Sequence, residues 1–214
     1  MIVAAPGSSS RLYGPLVELV GGLFPSLATA HPRALSHHSG PDSLVFCRGF
    51  DIPELVASKV VDIGITGYDV CVEWCIANGR RLHLRALPPT RTSFVTYCTL
   101  GDRDPLRIYT EYPAITRAWL ANRAEERAMR IVRLHGSTEG VIRADTRGAG
   151  VLLVTSGETL HVNGLDVEVP LLATDVCVVT REQPPDDNQL IDLDAMPVLG
   201  MPSFCAVPQR QPVA

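Results

Sequence analysis

Short apolar runs that break off in glycine, proline or hydroxylic residues recur along the whole chain, and this alternation constrains the fold more than any other feature. Met1–Ala5, Leu44–Cys47, Asp62–Ile65, Val151–Val154 and Val176–Val179 are too short for buried helices and read as strands covered on both faces. Ser93–Cys98 and Arg107–Tyr109 have the β-branched and aromatic content of strands, and Arg130–Leu134 reads as another. Between them lie helical patterns: Leu16–Leu23, a segment opening at Asp51-Ile52-Pro53, one running through Trp74, and the amphipathic stretch Pro113–Met129. Asp51 and Asp69 are expected to cap the second and third of these, with Thr66-Gly67 as the turn before Asp69. His37-His38, ahead of a Ser-Gly-Pro turn, are expected in a solvated loop. Strands alternating with helices predict parallel α/β layers, with ligand loops at the strand C-terminal ends.

A chain of 214 residues holds two small lobes with their own cores. Leu87-Pro88-Pro89 reads as a hinge, and Val176–Val179 as a strand returning to the first lobe. The expected division is residues 1–90 plus 175–214 for one lobe and 91–174 for the other, with an irregular proline-rich tail after Glu182. No apolar run approaches the roughly 20 residues of a membrane span. The N-terminus lacks the basic and apolar regions of a secretory signal, so a reducing cytoplasm is the expected compartment. A net charge of -4 argues against a nucleic-acid surface. Lys59 is the only lysine, so positive charge is almost all arginine. Guanidinium forks match phosphate oxygens, although GC-rich coding produces the same bias. Cys47, Cys71, Cys75, Cys98, Cys177 and Cys205 form no CxxC pair or zinc spacing and are expected as buried free thiols; no metal-ligand set is legible.

Polar and glycine clusters fall where strands should end: Gly7–Ser10, Arg48–Asp51, Thr66–Asp69, Gly136–Glu139 and Thr155–Thr159. In the last of these, small and hydroxylic residues let backbone amides and hydroxyls surround a phosphate, or simply form a turn. Arg48 and Asp51 suit a phosphate clamp and a hydroxyl acceptor, or an ion pair with a cap. Glycines in Asp62–Asp69 permit close ligand approach, or merely a strand–turn–helix corner. Tyr112, in Thr110-Glu111-Tyr112-Pro113, stacks on a base or anchors a helix start. His135 and His161 have no carboxylate partner in sequence and receive no role. No GxSxG elbow or P-loop is present.

Taken in order, Arg48–Pro53, Asp62–Asp69, Thr110–Pro113, Gly136–Glu139 and Thr155–Leu165 resemble the short, catalytic-only form of ATP phosphoribosyltransferase. The resemblance implies a two-lobed α/β fold like a type II periplasmic binding protein, with a ligand cleft between the lobes. It implies phosphoribosyl diphosphate (PRPP) and ATP as substrates, magnesium (Mg2+) as cofactor, and the first step of histidine biosynthesis. A homo-oligomer and a regulatory subunit related to histidyl-tRNA synthetase are the implied assemblies, with no nucleic acid and no membrane. Thr155, Ser156, Gly157, Glu158 and Thr159 would take the ribose 5-phosphate, Arg48 a phosphate, and Glu139 the ribose or the magnesium. Asp51, Thr66, Gly67, Asp69 and Tyr112 would line the cleft.

Two departures stand out. Where the family reads Gly-Leu-Ala-Asp-Ala-Ile-Val-Asp-Leu, this chain reads Asp145 to Leu153, and both acids are replaced, by Gly148 and Leu152. Asp145 is the candidate substitute and the second candidate catalytic residue beside Glu139. The family's Pro-Lys-Gly-Arg is here Pro6-Gly7-Ser8-Ser9-Ser10-Arg11, which leaves Arg11 as the candidate for the arginine. The departures admit two alternatives: a paralogue transferring phosphoribosyl to another acceptor, or a non-catalytic nucleotide-binding regulatory subunit.

Overall fold

The structure, a computed structural model, describes residues 1–10, 12–21, 24–25, 34–87, 92–101, 104–121, 123 and 129–181. Arg11, Cys205, the prolines of the expected hinge and the proline-rich tail lie outside the described residues. The chain divides into two compact units. Unit 1 comprises Met1–Cys75, Arg80–Thr90 and the segment from Asp175; unit 2 comprises Ile76–Gly79 and Arg91–Thr174.

Unit 1 is built on a six-stranded sheet. Its elements are β1 (Ile2–Pro6), α1 (Tyr13–Val20), β2 (Ser36–Ser39), β3 (Asp42–Cys47), α2 (Ile52–Ala57), β4 (Ile63–Gly67), α3 (Tyr68–Asn78) and β5 (His83–Ala86). The late strand Val176–Thr180 completes it. That strand is β11, and the sheet order is β2-β3-β1-β4-β11-β5. β1 runs parallel to β3 and β4, while β11 is antiparallel to β4 and β5. Val3, Ala5, Leu44, Phe46, Ile65 and Val178 bury one face against Leu16, Val20 and Phe24. On the other face Ile52 and Val56 of α2 press so close to Gly64 that a Cβ there would collide with them. Arg181 closes α2 by donating from Nη1 to the carbonyls of Val56 (3.0 Å) and Val61 (3.1 Å).

Several local expectations are corrected here. Asp51 caps nothing: its backbone is helical (φ −87°, ψ −21°), because the single 3-10 turn Gly49–Asp51 runs straight into α2. Asp69 is the second residue of α3 rather than its cap; the Tyr68 amide that opens the helix donates to the Asp175 carbonyl at 2.9 Å. Thr66 and Gly67 are the end of β4, not a turn. His37 and His38 lie in β2, where antiparallel pairing sets His37 opposite Leu44 on the core face. His37 is buried there, edge-on to the Phe46 ring at 5.6 Å.

Unit 2 has a five-stranded sheet. Its elements are β6 (Ser93–Thr99), β7 (Arg107–Thr110), α4 (Pro113–Leu120), β8 (Arg130–Arg133), α5 (Thr138–Ala144), β9 (Gly148–Val154), α6 (Glu158–Val162) and β10 (Asp166–Thr174). The order is β10-β6-β9-β7-β8. β7 is parallel to both β8 and β9, while β6 is antiparallel to β9 and β10. Cys98, Ile142, Leu152, Leu160 and Leu165 form the core under α5 and α6. On the opposite face the Tyr97 ring meets Trp119 of α4 at 4.8 Å. The helix expected to run to Met129 ends at Leu120, with Ala121 as its C-cap.

Candidate functional site

Parallel strands that end together bring their following loops together, and each unit has one such edge. In unit 2 the edge gathers the loops after β7, β8 and β9, together with the start of the antiparallel β6. Thr155–Gly157 follows β9 directly. Thr155 Oγ1 and Ser93 Oγ lie 2.8 Å apart, with Ser93 fully buried at the first position of β6. Gly157 sits at φ +76°, which favours glycine, and the Glu158 amide donates to Ser156 Oγ at 3.4 Å. The amides that open α6 have no carbonyl one turn behind them, and Ser156, Glu158 and Thr159 are exposed. Backbone donors and hydroxyls therefore converge on one small surface, an arrangement suited to phosphate oxygens.

Glu139 stands on the same edge, half-buried in the first turn of α5. Its charge reaches Cys98 beneath it: burial, then the Glu139 and Glu168 carboxylates, push that thiol up to about 12. The loop before α5 is tied to β7, since Glu111 Oε1 accepts from the Gly136 amide at 2.9 Å. Tyr112 is not on this surface. Only 2% of it is exposed, and its backbone is held by Thr110 Oγ1 and Thr116 Oγ1. It anchors the start of α4 and is not available to stack on a base.

Asp145 is also elsewhere. It follows α5, about 9 Å along the helix axis from Glu139, at the end of the sheet where β9 begins. The length of β9, about 20 Å, separates that end from the Thr155 turn. Its carboxylate takes a bidentate pair from Arg107 (Nε 2.6 Å, Nη2 2.7 Å), a hydrogen bond from Tyr109 Oη (2.9 Å) and one from the Arg147 amide (3.1 Å). The Arg107 guanidinium, followed by the Arg147 amide, holds this carboxyl well below the usual range. A Cβ at Gly148 would come within 3.3 Å of Asp145 Cγ, so Asp145 fills the space a side chain at 148 would enter. Leu152 is 6% exposed within the apolar cluster of Cys98, Ile142, Leu160 and Leu165. The described members of that cluster are apolar side chains and a thiol, with no carboxylate among them.

The corresponding edge of unit 1 carries Gly7–Ser10, Arg48–Asp51 and the start of α3. Arg48 is exposed on extended backbone and, among the described residues, makes no ion pair with the exposed Asp51. Thr66 is fully buried, and its Oγ1 donates to the Gly49 carbonyl at 3.2 Å; it holds the Arg48–Asp51 loop. The Asp69 carboxylate folds back over Gly67, where any Cβ would strike it, and is itself 1% exposed. Burial, then the nearby Asp51 charge, pushes the Cys47 thiol up to about 11. The five described cysteines are free, with Cys71 and Cys177 Sγ 3.8 Å apart in the core. Ser93 and Glu111 are the additions that sequence reasoning missed as site residues. Glu111 lay within a cluster already singled out, whereas Ser93 reads only as the start of a strand.

Among the described residues no three His, Cys, Asp or Glu side chains converge on a metal position. No described helix is long and apolar enough to cross a membrane.

The comparisons with known proteins agree with one another. An ATP phosphoribosyltransferase from Methanopyrus kandleri is 29% identical over 99% of this chain and 77% of its own length. Among solved structures, the ATP phosphoribosyl transferase (HisG:HisZ) complex from Thermotoga maritima matches with a TM-score of 0.69 at 23% identity, over 85% of this chain and 87% of that one. A histidine kinase sensor domain with similarity to periplasmic binding proteins matches with a TM-score of 0.50 at 11% identity, over 85% of this chain and 82% of that one. The fold is thus α/β and periplasmic-binding-protein-like, built on two mixed sheets. A model of the HisG family, ATP phosphoribosyltransferase, matches residues 48–195, and with it the chain belongs to the ATP phosphoribosyltransferase family of phosphoribosyl-transferring enzymes.

Proposed function

We propose that this chain joins the phosphoribosyl group of PRPP to N1 of the adenine of ATP, with release of pyrophosphate, as the first step of histidine biosynthesis. The observation that carries the proposal is the edge of unit 2, where the Thr155–Thr159 turn, braced by Ser93, presents amides and hydroxyls on the same sheet edge as the first turn of α5, which carries Glu139. In this reaction the N1 lone pair forms the new bond to C1′ while the C1′–O bond to diphosphate breaks and its electron pair leaves with the diphosphate. No protein nucleophile is needed. The chain's task is to hold both substrates in line and to favour charge on the leaving group.

The Thr155–Thr159 turn takes the 5-phosphate, with the exposed Thr159 hydroxyl and the α6 amides as donors. Glu139 accepts from a ribose hydroxyl. On unit 1, Arg48 is offered to phosphate, Asp51 is exposed on the same loop, and Thr66, Gly67 and Asp69 shape the surface beside it. The residues fit magnesium that arrives with the diphosphate rather than a resident ion. Such a cation is usually held by substrate oxygens with one or two carboxylates, and no cluster of three ligands exists among the described residues. When bound, it neutralises charge on the diphosphate. A histidyl-tRNA-synthetase-like regulatory subunit belongs to the same proposal, supported by the likeness to the Thermotoga complex. A cytoplasmic homo-oligomer belongs to it as well, on the family resemblance alone.

One observation favours a second function. Leu152 lies in the core and Asp145 is neutralised by Arg107, so neither supplies an acid at the turn. A site altered in this way suits transfer to another acceptor, or nucleotide binding without chemistry. Calorimetric titration with PRPP and magnesium, then ATP, followed by an assay for pyrophosphate, separates the readings. Binding with turnover supports the first. Binding without turnover on ATP moves the assignment to the second, and no PRPP binding removes both transferase readings.

A further inference from the structure

We propose that Glu111 is a positioning residue of the unit 2 site. Its carboxylate fixes the turn after β8 and thereby sets the first turn of α5, which carries Glu139. The proposal rests on the transferase reading only for the role of Glu139.

β7 lies between β9 and β8, so a residue just past its end reaches either neighbouring loop. The backbone ladder between β7 and β8 continues one rung beyond the strands, with the Leu134 amide donating to the Thr110 carbonyl at 3.0 Å. The next donor, the Gly136 amide, has turned away from the strand direction and is taken by Glu111 Oε1 at 2.9 Å. That turn is costly in conformation: Gly136 sits at φ +80° and Ser137, which is not glycine, at φ +51°. Ser137 then occupies the N-cap position of α5 without a side-chain cap bond. The usual local device for starting a helix is therefore missing, and a carboxylate from the neighbouring strand anchors the turn instead. Below it Thr138 and Ile142 are buried, so once the turn is fixed the helix direction follows, and with it the side of the edge on which Glu139 stands.

Both halves of the argument are open to one set of variants in the full chain. Glu111→Gln keeps an acceptor oxygen at the same reach. Glu111→Ala removes it, and Glu111→Asp withdraws the charge by one methylene. Hydrogen exchange of the amides of residues 135–139 reads the turn directly. A hydrogen bond to a charged group predicts exchange faster by at least about tenfold in the Ala and Asp variants, and within about threefold of the parent in Gln. In turnover of PRPP with ATP, the Ala and Asp variants are expected to lose kcat more than they raise the KM for PRPP, and Gln to recover most of the loss. If the Ala variant fails to fold, the Asp and Gln pair decides. Unchanged exchange in the Ala and Asp variants overturns the proposal. So does a Gln variant as inactive as Ala with its turn still protected, which would make Glu111 a group that touches substrate. Should the parent chain show no turnover at all, the transferase reading fails, and the exchange measurement still decides whether Glu111 holds the turn.

Discussion

Returning an acid to position 152 is expected to damage the protein rather than restore a site. Leu152 is 6% exposed and packs against Cys98, Ile142, Leu160 and Leu165. Losing its apolar burial costs about 2 kcal/mol or more. The new carboxyl has no cation in that cluster, so the favoured route to folding at pH 7 is as the neutral acid. Keeping an aspartate with an unfolded pKa of about 3.9 protonated at pH 7 costs roughly 4 kcal/mol. Together these losses rival the whole stability of many domains, about 5–15 kcal/mol. The sign with pH follows from a folded pKa raised above the unfolded one. The stability of Leu152→Asp is best below about pH 3.9 and is lost as pH rises toward the folded pKa. Leu152→Asn carries the packing defect without the titration. Thermal unfolding followed by circular dichroism at pH 7 and pH 4 therefore separates the terms. Relative to the Asn variant, the Asp variant should gain on the order of 10 °C in Tm on acidification. An Asp variant that melts within about 2 °C of the parent at pH 7 would show that residue 152 does not face an apolar core.

Asp145→Asn is expected to flatten the acid side of the stability curve. The Arg107 pair holds that carboxyl below its unfolded pKa, so its contribution is present above about pH 3.9 and fades as pH falls toward the folded value. Acid titration of both proteins checks this, and identical profiles would refute it. Thr159→Ala should weaken PRPP by about tenfold or more through a lost bond to phosphate, measured by calorimetry; unchanged affinity sinks the phosphate-turn assignment. Tyr112→Ala should lose about 3–5 kcal/mol of stability, the cost of truncating a buried aromatic, while the folded fraction keeps its affinity for ATP. A selective loss of ATP binding with normal stability would return Tyr112 to the ligand surface.

What the sequence revealed depended on whether an element announced itself by apolar pattern. β1, β4, β9 and β11 did so because successive residues on both faces are buried, and unbroken apolar runs follow from that; β3 did so through Leu44–Cys47, although only alternate residues of it are buried. β2, β5 and β10 did not, because each is an edge strand in which polar residues or a proline interrupt the apolar pattern. Pro170 and the acids Asp166 and Glu168 disguise β10 as a loop, although an outer strand tolerates a proline and solvated charges. The loops of the candidate site were legible as clusters, since glycines and hydroxyls at strand ends mark them without any knowledge of packing. The direction of single side chains was not. Thr66 looks like a ligand residue until its hydroxyl is found on Gly49, and Tyr112 until its ring is found in the core. Ser93 has no sequence signature, because its partner is 62 positions away, in the turn after a strand that pairs with β6 only in three dimensions.

The two missing acids fall at different distances from the phosphate turn. Gly148 begins β9, about 20 Å from the Thr155 turn, and Asp145 already occupies the space beside it in a pair with Arg107. An acid there would not reach the phosphate turn of its own sheet, so its loss takes nothing from that edge. Leu152 is nearer the turn in sequence, but its side chain is packed into the core with Leu160 of α6, so an acid at 152 would not face the turn in this arrangement either. The donors at the turn are amides and hydroxyls, and none of them depends on either acid. Phosphate binding should therefore survive both replacements, and what an acid would have supplied, roughly ten- to 150-fold for one bond to a charged group, falls on the chemical step.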